Sequence, residues 1–466
     1  SHALFAWFPL DAYVRDPAPR ACSGHAAAGG QPMTIHEAAL AVAEGDRPAP
    51  APTADLFGRQ DRHGLTTVAP NRNGDGRSNG TGPHRHALIY LRGAILHDYG
   101  QTSYRIAYYL PELGFDTTLV QLGREAEERM EQGIKLVVLP MRQLPVISSL
   151  WVNLLAFRYL RAHRCDVLLC NPGLIFAARL YKRLHPTTRL VVDVRSIPVE
   201  VKGVQGWLMD RAFAAAVRAR ELDALSVITH GTLEMVYGRY QGRYDVPTVI
   251  WPSGVDERVF DPAISGERVR RQYGLEESFV LMYHGSLTPH RGLGLVLQAL
   301  ARLVAQGETR AKVVFIGKRT PHQSQLEALA AELGIGDYVL FLGPVPHEEI
   351  AEYVAAADAG LDPLPDNPWW NYSSPMKVYE YLRMGKPVLA SDIHAHRNIS
   401  PAVLLTRERD VEALAEAIRR LMDADEATRA RLRQQALDAG ACNTWRMRAA
   451  TLSDFLHRYL LNTTPL

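Results

Sequence analysis

Residues 371–388 read NYSSPMKVYEYLRMGKPV, and this stretch carries the most structural information in the chain. Ser374 suits a helix N-cap, Pro375 suits the first helical position, and Gly385 suits a helix end. A short helix is therefore predicted from Pro375 to about Met384, directly before a strand at 387–391.

Two charged residues of this helix lie on one face, because Lys377 and Glu380 are three positions apart. Such a pair is either an ordinary surface ion pair, which contributes a few tenths of a kcal/mol, or part of a binding site. The pair alone does not decide between these alternatives.

Short β-branched segments alternate with amphipathic helical segments on both sides of this stretch, from His86 onward. Such alternation predicts βαβ units around parallel sheets. The first series of predicted strands is 87–91, 117–122, 135–139, 166–170, 190–194, 225–229 and 248–251. The second series is 279–284, 313–317, 338–343, 360–364, 387–391 and 403–405.

The two series are separated by a turn-rich segment, 252–256, that suits a hinge. We therefore expect an α/β fold with two Rossmann-like doubly wound domains. Ligands of open α/β sheets bind at the carboxyl ends of the strands, so two such domains present a cleft between them. A Rossmann dehydrogenase is disfavoured, because neither series has Gly-x-Gly-x-x-Gly after its first strand.

A glycine turn follows the predicted strand 279–284, with Gly285 and Ser286 at its start and Arg291 near its end. A turn of this kind before a helix leaves backbone N–H groups that favour an anion such as phosphate, and Arg291 adds a positive charge. The same pattern also serves plain chain reversal.

The stretch 374–390 resembles the donor-binding motif of glycosyltransferase family 4, whose members are retaining enzymes of the GT-B fold. The resemblance extends from about residue 87 to 460. It includes the strand and turn at 190–196, the hinge at 252–256, the loop at 283–287 and Trp445 with the final helix.

Composition predicts a flexible low-complexity tail (1–86), whose Pro- and Gly-rich, polar sequence cannot bury enough apolar area. The resemblance implies an acceptor domain (87–255), a nucleotide-sugar donor domain (256–440) and a helix crossing back to the first domain (441–466). It also implies that Glu380 accepts hydrogen bonds from the donor ribose and that Lys377 and Arg291, the predicted catalytic residues, neutralise the diphosphate. The other predicted donor-binding residues are Gly285, Ser286, Lys318, Arg319, Val345, Ser373, Ser374 and Met376.

The acceptor is expected in the first domain, where a polar loop at 93–102 follows the first strand. The predicted acceptor-side residues are His97, Gly100, Gln101 and Arg195; a solvent-facing loop is the alternative for the first three. No cofactor is expected beyond a UDP-sugar or GDP-sugar co-substrate, and no metal, because no suitable Asp-x-Asp motif is present.

Three positions depart from the family pattern: Tyr372 replaces a frequent glutamate, Ser286 a frequent arginine and Ser196 a frequent aspartate. These replacements occur in a subgroup acting on other sugars and in inactive relatives. Two alternatives to a glycosyltransferase therefore stay open: a catalytically silent GT-B scaffold or partner protein, and another nucleotide-sugar enzyme such as an epimerase.

Composition limits the class of partner. The 466 residues include 52 Lys or Arg and 50 Asp or Glu, so the net charge of +2 favours no nucleic acid. No apolar run reaches the ~18 residues of a membrane span. Four cysteines without metal-type spacing predict free thiols, and a cytoplasmic location is expected.

The segment 141–190 is strongly basic, with eight Lys or Arg and one acid. Trp151, Leu154, Leu155 and Phe157 precede the arginines, so the segment suits peripheral contact with an anionic membrane and a lipid-linked acceptor. The alternative is a helix whose apolar face packs on the sheet. The overall prediction is a retaining glycosyltransferase for a glycan, lipid-linked or small-molecule acceptor in polysaccharide or glycoconjugate biosynthesis.

Overall fold

The computed structural model describes residues 85–95, 106–140, 148–198 and 203–463. The described residues fall within one compact unit. The predicted acceptor loop residues His97, Gly100 and Gln101 lie outside the described residues. So does the predicted tail, except for Arg85 and His86, and the first strand begins at His86.

Within the described residues, eight strands form the first sheet: β1 (His86–Ile95), β2 (Phe115–Gly123), β3 (Glu127–Glu131), β4 (Ile134–Pro140), β5 (Val167–Cys170), β6 (Arg189–Val194), β7 (Ala224–Val227) and β8 (Thr248–Ile250). Their order is β3-β4-β2-β1-β5-β6-β7-β8. Its helices are α1 (Ser148–Ala162), α2 (Ile175–Leu184), α3 (Gly203–Val217) and α4 (His230–Gly238), with 3-10 turns at Leu110–Leu113 and Pro172–Leu174.

The second sheet contains six described strands: β9 (Phe279–His284), β10 (Ala311–Ile316), β11 (Val339–Leu342), β12 (Ala359–Asp362), β13 (Val388–Ser391) and β14 (Val403–Thr406). The order is β11-β10-β9-β12-β13-β14, and every pairing is parallel. Its helices are α5 (Glu267–Tyr273), α6 (Leu293–Ala305), α7 (Pro321–Glu332), α8 (Ile350–Ala356), α9 (Pro368–Asn371), α10 (Met376–Arg383), α11 (Val411–Met422) and α12 (Glu426–Cys442), with 3-10 turns at Pro289–Arg291 and Gly336–Tyr338.

The predicted α/β class with two Rossmann-like domains is confirmed, and one strand was missed. The strand β3 pairs antiparallel with β4 at the edge of the first sheet. Its sequence, Glu-Glu-Arg-Met-Glu, is mostly exposed and lacks the apolar alternation that predicts a strand. Charged residues on an edge strand discourage pairing with another chain, which explains a polar strand here.

The last helices return the chain to the first sheet. Helix α13 (Trp445–Leu456) and the π-helix His457–Leu461 follow α12. Trp445 packs in the same buried cluster as Leu88 of the first sheet. The hinge meets this crossing, because Val255 N–H donates to Asn443 O over 2.9 Å and Trp445 N–H donates to Val255 O over 3.0 Å.

Helix α1 packs on the first sheet through Val152, Ala156 and Leu160, as the packing alternative predicts, while Leu150 and Leu154 stay exposed. In the described part of the chain, no helix is long and apolar enough to cross a membrane. Cys165 and Cys170 are free, whereas Cys442 is disulfide-bonded, so the prediction of free thiols is wrong for Cys442.

Candidate functional site

A cleft of about 950 Å³ is lined by residues of both domains. It brings together most of the predicted site residues: Arg195, Gly285, Ser286, Arg291, Lys318, Val345, Ser373, Ser374, Met376, Lys377 and Glu380. Arg319 does not line the cleft; its guanidinium pairs with Glu327 over 3.0 Å on the surface.

The turn after β9 requires glycine at two positions. Gly285 has φ +128°, and Gly292 has φ +69°. A Cβ on Gly292 would lie 2.0 Å from Pro363 O, so no other residue fits without movement of the backbone. This close packing brings the turn against the carboxyl end of β12, beside Lys377.

Arg291 is held against an aromatic ring at the edge of the cleft. Its guanidinium carbon lies 4.3 Å from the centroid of the Trp370 ring. The indole of Trp370 is fixed in turn by donating to His290 O over 2.9 Å. The stacked guanidinium keeps its charge while its position is restricted.

The start of helix α10 differs from the prediction. The N-cap is Pro375 without a side-chain cap, rather than Ser374. The Ser374 hydroxyl instead accepts from Ser253 N–H over 2.9 Å, and Ser374 O accepts from the Ser253 hydroxyl over 3.0 Å. The Ser374 side chain therefore joins the start of α10 to the hinge at 252–256 instead of capping the helix.

Lys377 pairs with a buried carboxylate that the sequence analysis missed as a site residue. Nζ of Lys377 lies 3.2 Å from Oδ1 of Asp362, whose side chain is 0% exposed at the end of β12. The other oxygen of Asp362 lies 3.0 Å from Nε2 of His396. Burial opposes ionisation of Asp362, but Lys377 and His396 outweigh it and hold the pKa of Asp362 well below its usual range.

Glu380 contacts a second histidine, His284, at the end of β9. The two side chains approach to 3.3 Å between Oε2 and Nε2, without the alignment of a hydrogen bond. Burial, aided by the positive charge of Lys377, lowers the pKa of His284 to about 3. The imidazole beside Glu380 is therefore neutral at physiological pH.

Tyr372, which replaces a frequent family glutamate, contacts the first domain. Its carbonyl oxygen accepts from the hydroxyls of Thr229 and Thr232, each over 3.1 Å. Its ring packs on Gly231, where an added Cβ would lie 2.5 Å from the ring. Residue 372 therefore links the second-domain wall of the cleft to the start of α4.

Arg195 is held on the opposite wall by a buried network. Its guanidinium lies 3.4 Å from the centroid of Trp251 and donates to Trp251 O over 2.8 Å. Nη1 lies 3.6 Å from Asp193, which is 0% exposed and accepts from the hydroxyls of Tyr90 and Ser226. Burial lowers the pKa of Arg195, and the charge of Asp193 opposes this shift.

Among the residues that the structure describes, no group of three His, Cys, Asp or Glu side chains is arranged to hold a metal ion. Asp362, which is fully buried, already has two basic partners, Lys377 and His396. Metal independence stays a prediction.

Comparison with known proteins relates both the sequence and the fold to glycosyltransferases. Residues 278–424 match the family model described as glycosyl transferases group 1. A D-inositol 3-phosphate glycosyltransferase from Stackebrandtia nassauensis is 33% identical over 256 residues, which are 51% of this chain and 54% of that protein. The chain thus matches about half the length of this curated relative.

Solved structures match about four-fifths of this chain. Sucrose-phosphate synthase from Thermosynechococcus elongatus has a TM-score of 0.65 at 17% identity, covering 81% of this chain and all of that one. HepE from Anabaena, in complex with UDP and glucose, has a TM-score of 0.63 at 16% identity, covering 80% of this chain and all of its own. The chain therefore has the GT-B fold, and its second domain matches the glycosyl transferases group 1.

Proposed function

We propose that the chain is a retaining glycosyltransferase that moves a sugar from a UDP-sugar or GDP-sugar to a glycan, lipid-linked or small-molecule acceptor. The observation that carries the proposal is one wall of the cleft, where Lys377, Arg291 and the glycine turn at Gly285 surround the same space. Glu380 lines that wall too, as an acceptor for ribose hydroxyls.

These groups suit the departure of a nucleoside diphosphate. As the sugar–oxygen bond breaks, negative charge develops on the β-phosphate and the sugar becomes oxocarbenium-like. Lys377 and Arg291, both already oriented by Asp362 and Trp370, stabilise that charge without further ordering. No protein nucleophile is assigned, and the acceptor attacks from the face that the diphosphate leaves.

The similar proteins support this assignment. The relative from Stackebrandtia is a glycosyltransferase by name, and HepE was crystallised with UDP and glucose. Both support a nucleotide-sugar donor in the cleft of this chain. A role in polysaccharide or glycoconjugate biosynthesis in the cytoplasm is part of the same proposal.

The test is calorimetric titration of the protein with UDP, GDP and ADP. We expect selective binding of UDP or GDP, with Kd raised about 100-fold in Lys377→Ala and about tenfold in Glu380→Ala. Glu332→Ala, at the exposed end of α7, is the matched control and keeps the original Kd. Binding of none of the three nucleotides at millimolar concentration contradicts the proposal.

Product analysis separates the alternatives. A transferase releases UDP or GDP from a sugar nucleotide in an acceptor-dependent reaction, whereas an epimerase changes the sugar without an acceptor. A scaffold protein turns over none of the sugar nucleotides, whether or not it binds a nucleotide.

We further propose that the first domain contacts an anionic membrane. Exposed apolar side chains occur on all three neighbouring helices α1, α2 and α3, with Leu150 75% and Trp207 58% exposed. Arg158, Arg161 and Arg164 are exposed on or just after α1. The net charge of 141–190 overstates this surface, because four of its cations are paired with Glu221 or Asp223: Arg179, Lys182, Arg183 and Arg189.

Co-sedimentation with phosphatidylglycerol vesicles at low salt tests the membrane contact. We expect binding that is lost in a Leu150→Glu, Trp207→Glu double variant and retained in Leu405→Glu, whose apolar side chain is exposed on the other domain. Failure of the wild-type protein to bind would refute the contact and leave the donor assignment intact.

A further inference from the structure

Three side chains form a buried row behind the donor wall. Lys377 lines the cleft, Asp362 lies behind it at the end of β12, and His396 lies behind Asp362 after β13. The side chains of Asp362 and His396 are both 0% exposed, so water does not screen their charges.

The contacts of His396 determine the charge of the row. Nδ1 lies 2.8 Å from the carbonyl oxygen of Ser391, which only accepts, so Nδ1 carries a proton. Nε2 shares a second proton with Oδ2 of Asp362 over 3.0 Å. Because Lys377 and His396 hold the pKa of Asp362 well below its usual range, the carboxylate accepts and that proton belongs to Nε2. The three side chains, with Lys377 as an ammonium, then carry one net positive charge.

Without His396, the pair formed by Lys377 and Asp362 would be neutral. Three other charged groups lie near the row: Arg291, which adds to the positive charge, Asp392, which is already paired with Arg397 over 2.7 Å, and Glu380, which shares a helix face with Lys377. With these groups unchanged, the positive charge supplied through His396 makes this wall one unit more positive than it would be without that side chain.

We propose that His396 is a positioning residue that offsets the charge of Asp362, so that Lys377 presents a net positive charge to the diphosphate of the donor. This inference rests on the proposed function, because the diphosphate is the group that the charge would stabilise. His396 acts through Asp362 and Lys377, since neither His396 nor Asp362 lines the cleft.

The test compares His396→Gln with His394→Gln. Glutamine at 396 keeps an amide donor for Asp362 but carries no charge, and His394 is an exposed neighbour on the same turn. Calorimetry with UDP against UMP, and GDP against GMP, at fixed ionic strength measures the effect. We expect His396→Gln to raise the Kd of the diphosphate about tenfold and that of the monophosphate less than about threefold, while His394→Gln changes neither.

Equal weakening of diphosphate and monophosphate, or no change, would overturn the proposal. An independent readout is nitrogen NMR of histidine-labelled wild-type protein at pH 8, where we expect one imidazole with both ring nitrogens protonated, which is absent from His396→Gln. Absence of that signal also overturns the proposal, even where His396→Gln fails to fold. If the NMR signal is present but no nucleotide binds, the proposed function is wrong. The proposed role of His396 in binding is then wrong as well.

Discussion

The two walls of the cleft each contain a fully buried aspartate at the end of a strand, and they differ in the partners of that aspartate. Asp193 on the first wall accepts from two hydroxyls and lies near one cation, Arg195. Asp362 on the second wall contacts two basic side chains, Lys377 and His396. Under the charge assignment proposed above, the first group is neutral overall and the second is positive, so a buried carboxylate would support structure on one wall and anion binding on the other.

The largest expected effect tests the structural role of the first wall. Asp193→Asn leaves Arg195 as a buried guanidinium without a counter-charge, so the free energy of unfolding falls by about 3 kcal/mol. Urea denaturation measures this loss. Nucleotide affinity of the folded fraction stays within about twofold, and a large loss of affinity instead would break the distinction between the walls.

A smaller effect concerns the pH dependence of the second wall. The pKa of His284 is about 3 when folded and near its ordinary value when unfolded. The neutral form is favoured on folding, so stability is complete above about pH 6.5 and is lost as the pH falls toward 3, by about 2 kcal/mol between pH 8 and pH 5.

Thermal denaturation of His284→Asn against wild type across pH 8 to 5 measures this contribution. We expect the variant to lose less stability on acidification than the wild type. Parallel curves for the two proteins would show that His284 does not carry the effect.

The smallest expected effect concerns the contact between the walls. Gly231→Ala places a Cβ against the Tyr372 ring, which must shift, and we expect a loss of about 1 kcal/mol in stability. Gly238→Ala is the matched control, because nothing lies within 4 Å of its added Cβ. Equal melting temperatures for the two variants would mean that the ring of Tyr372 moves aside without cost.

The two walls also differ in how far they could be predicted. The donor helix and its glycine stop were found from local signals, and the observed helix, Met376–Arg383, differs by one residue at each end. The Asp362–His396 contact joins positions 34 apart in sequence through neighbouring strands, so no local pattern marks it.

Failures of prediction elsewhere have the same origin. Ser374 is of a residue type that suits a helix N-cap, but its hydroxyl accepts a hydrogen bond from the N–H of Ser253, 121 positions away. The edge strand β3 was missed because its residues are mostly exposed and lack the apolar alternation that predicts a strand. Local rules therefore predict where elements lie, whereas the choice of polar partners depends on which strand ends the fold brings together.

The return of the chain to the first sheet has a consequence for biosynthesis. Trp445, Leu452 and Leu456 complete an apolar cluster whose other members include Leu88 and Phe115 near the start of the first domain. A ribosome releases the first domain long before these residues are made, so that face of its sheet is uncovered until residues 445–456 emerge. We therefore expect the nascent first domain to need protection from aggregation that the second domain does not need.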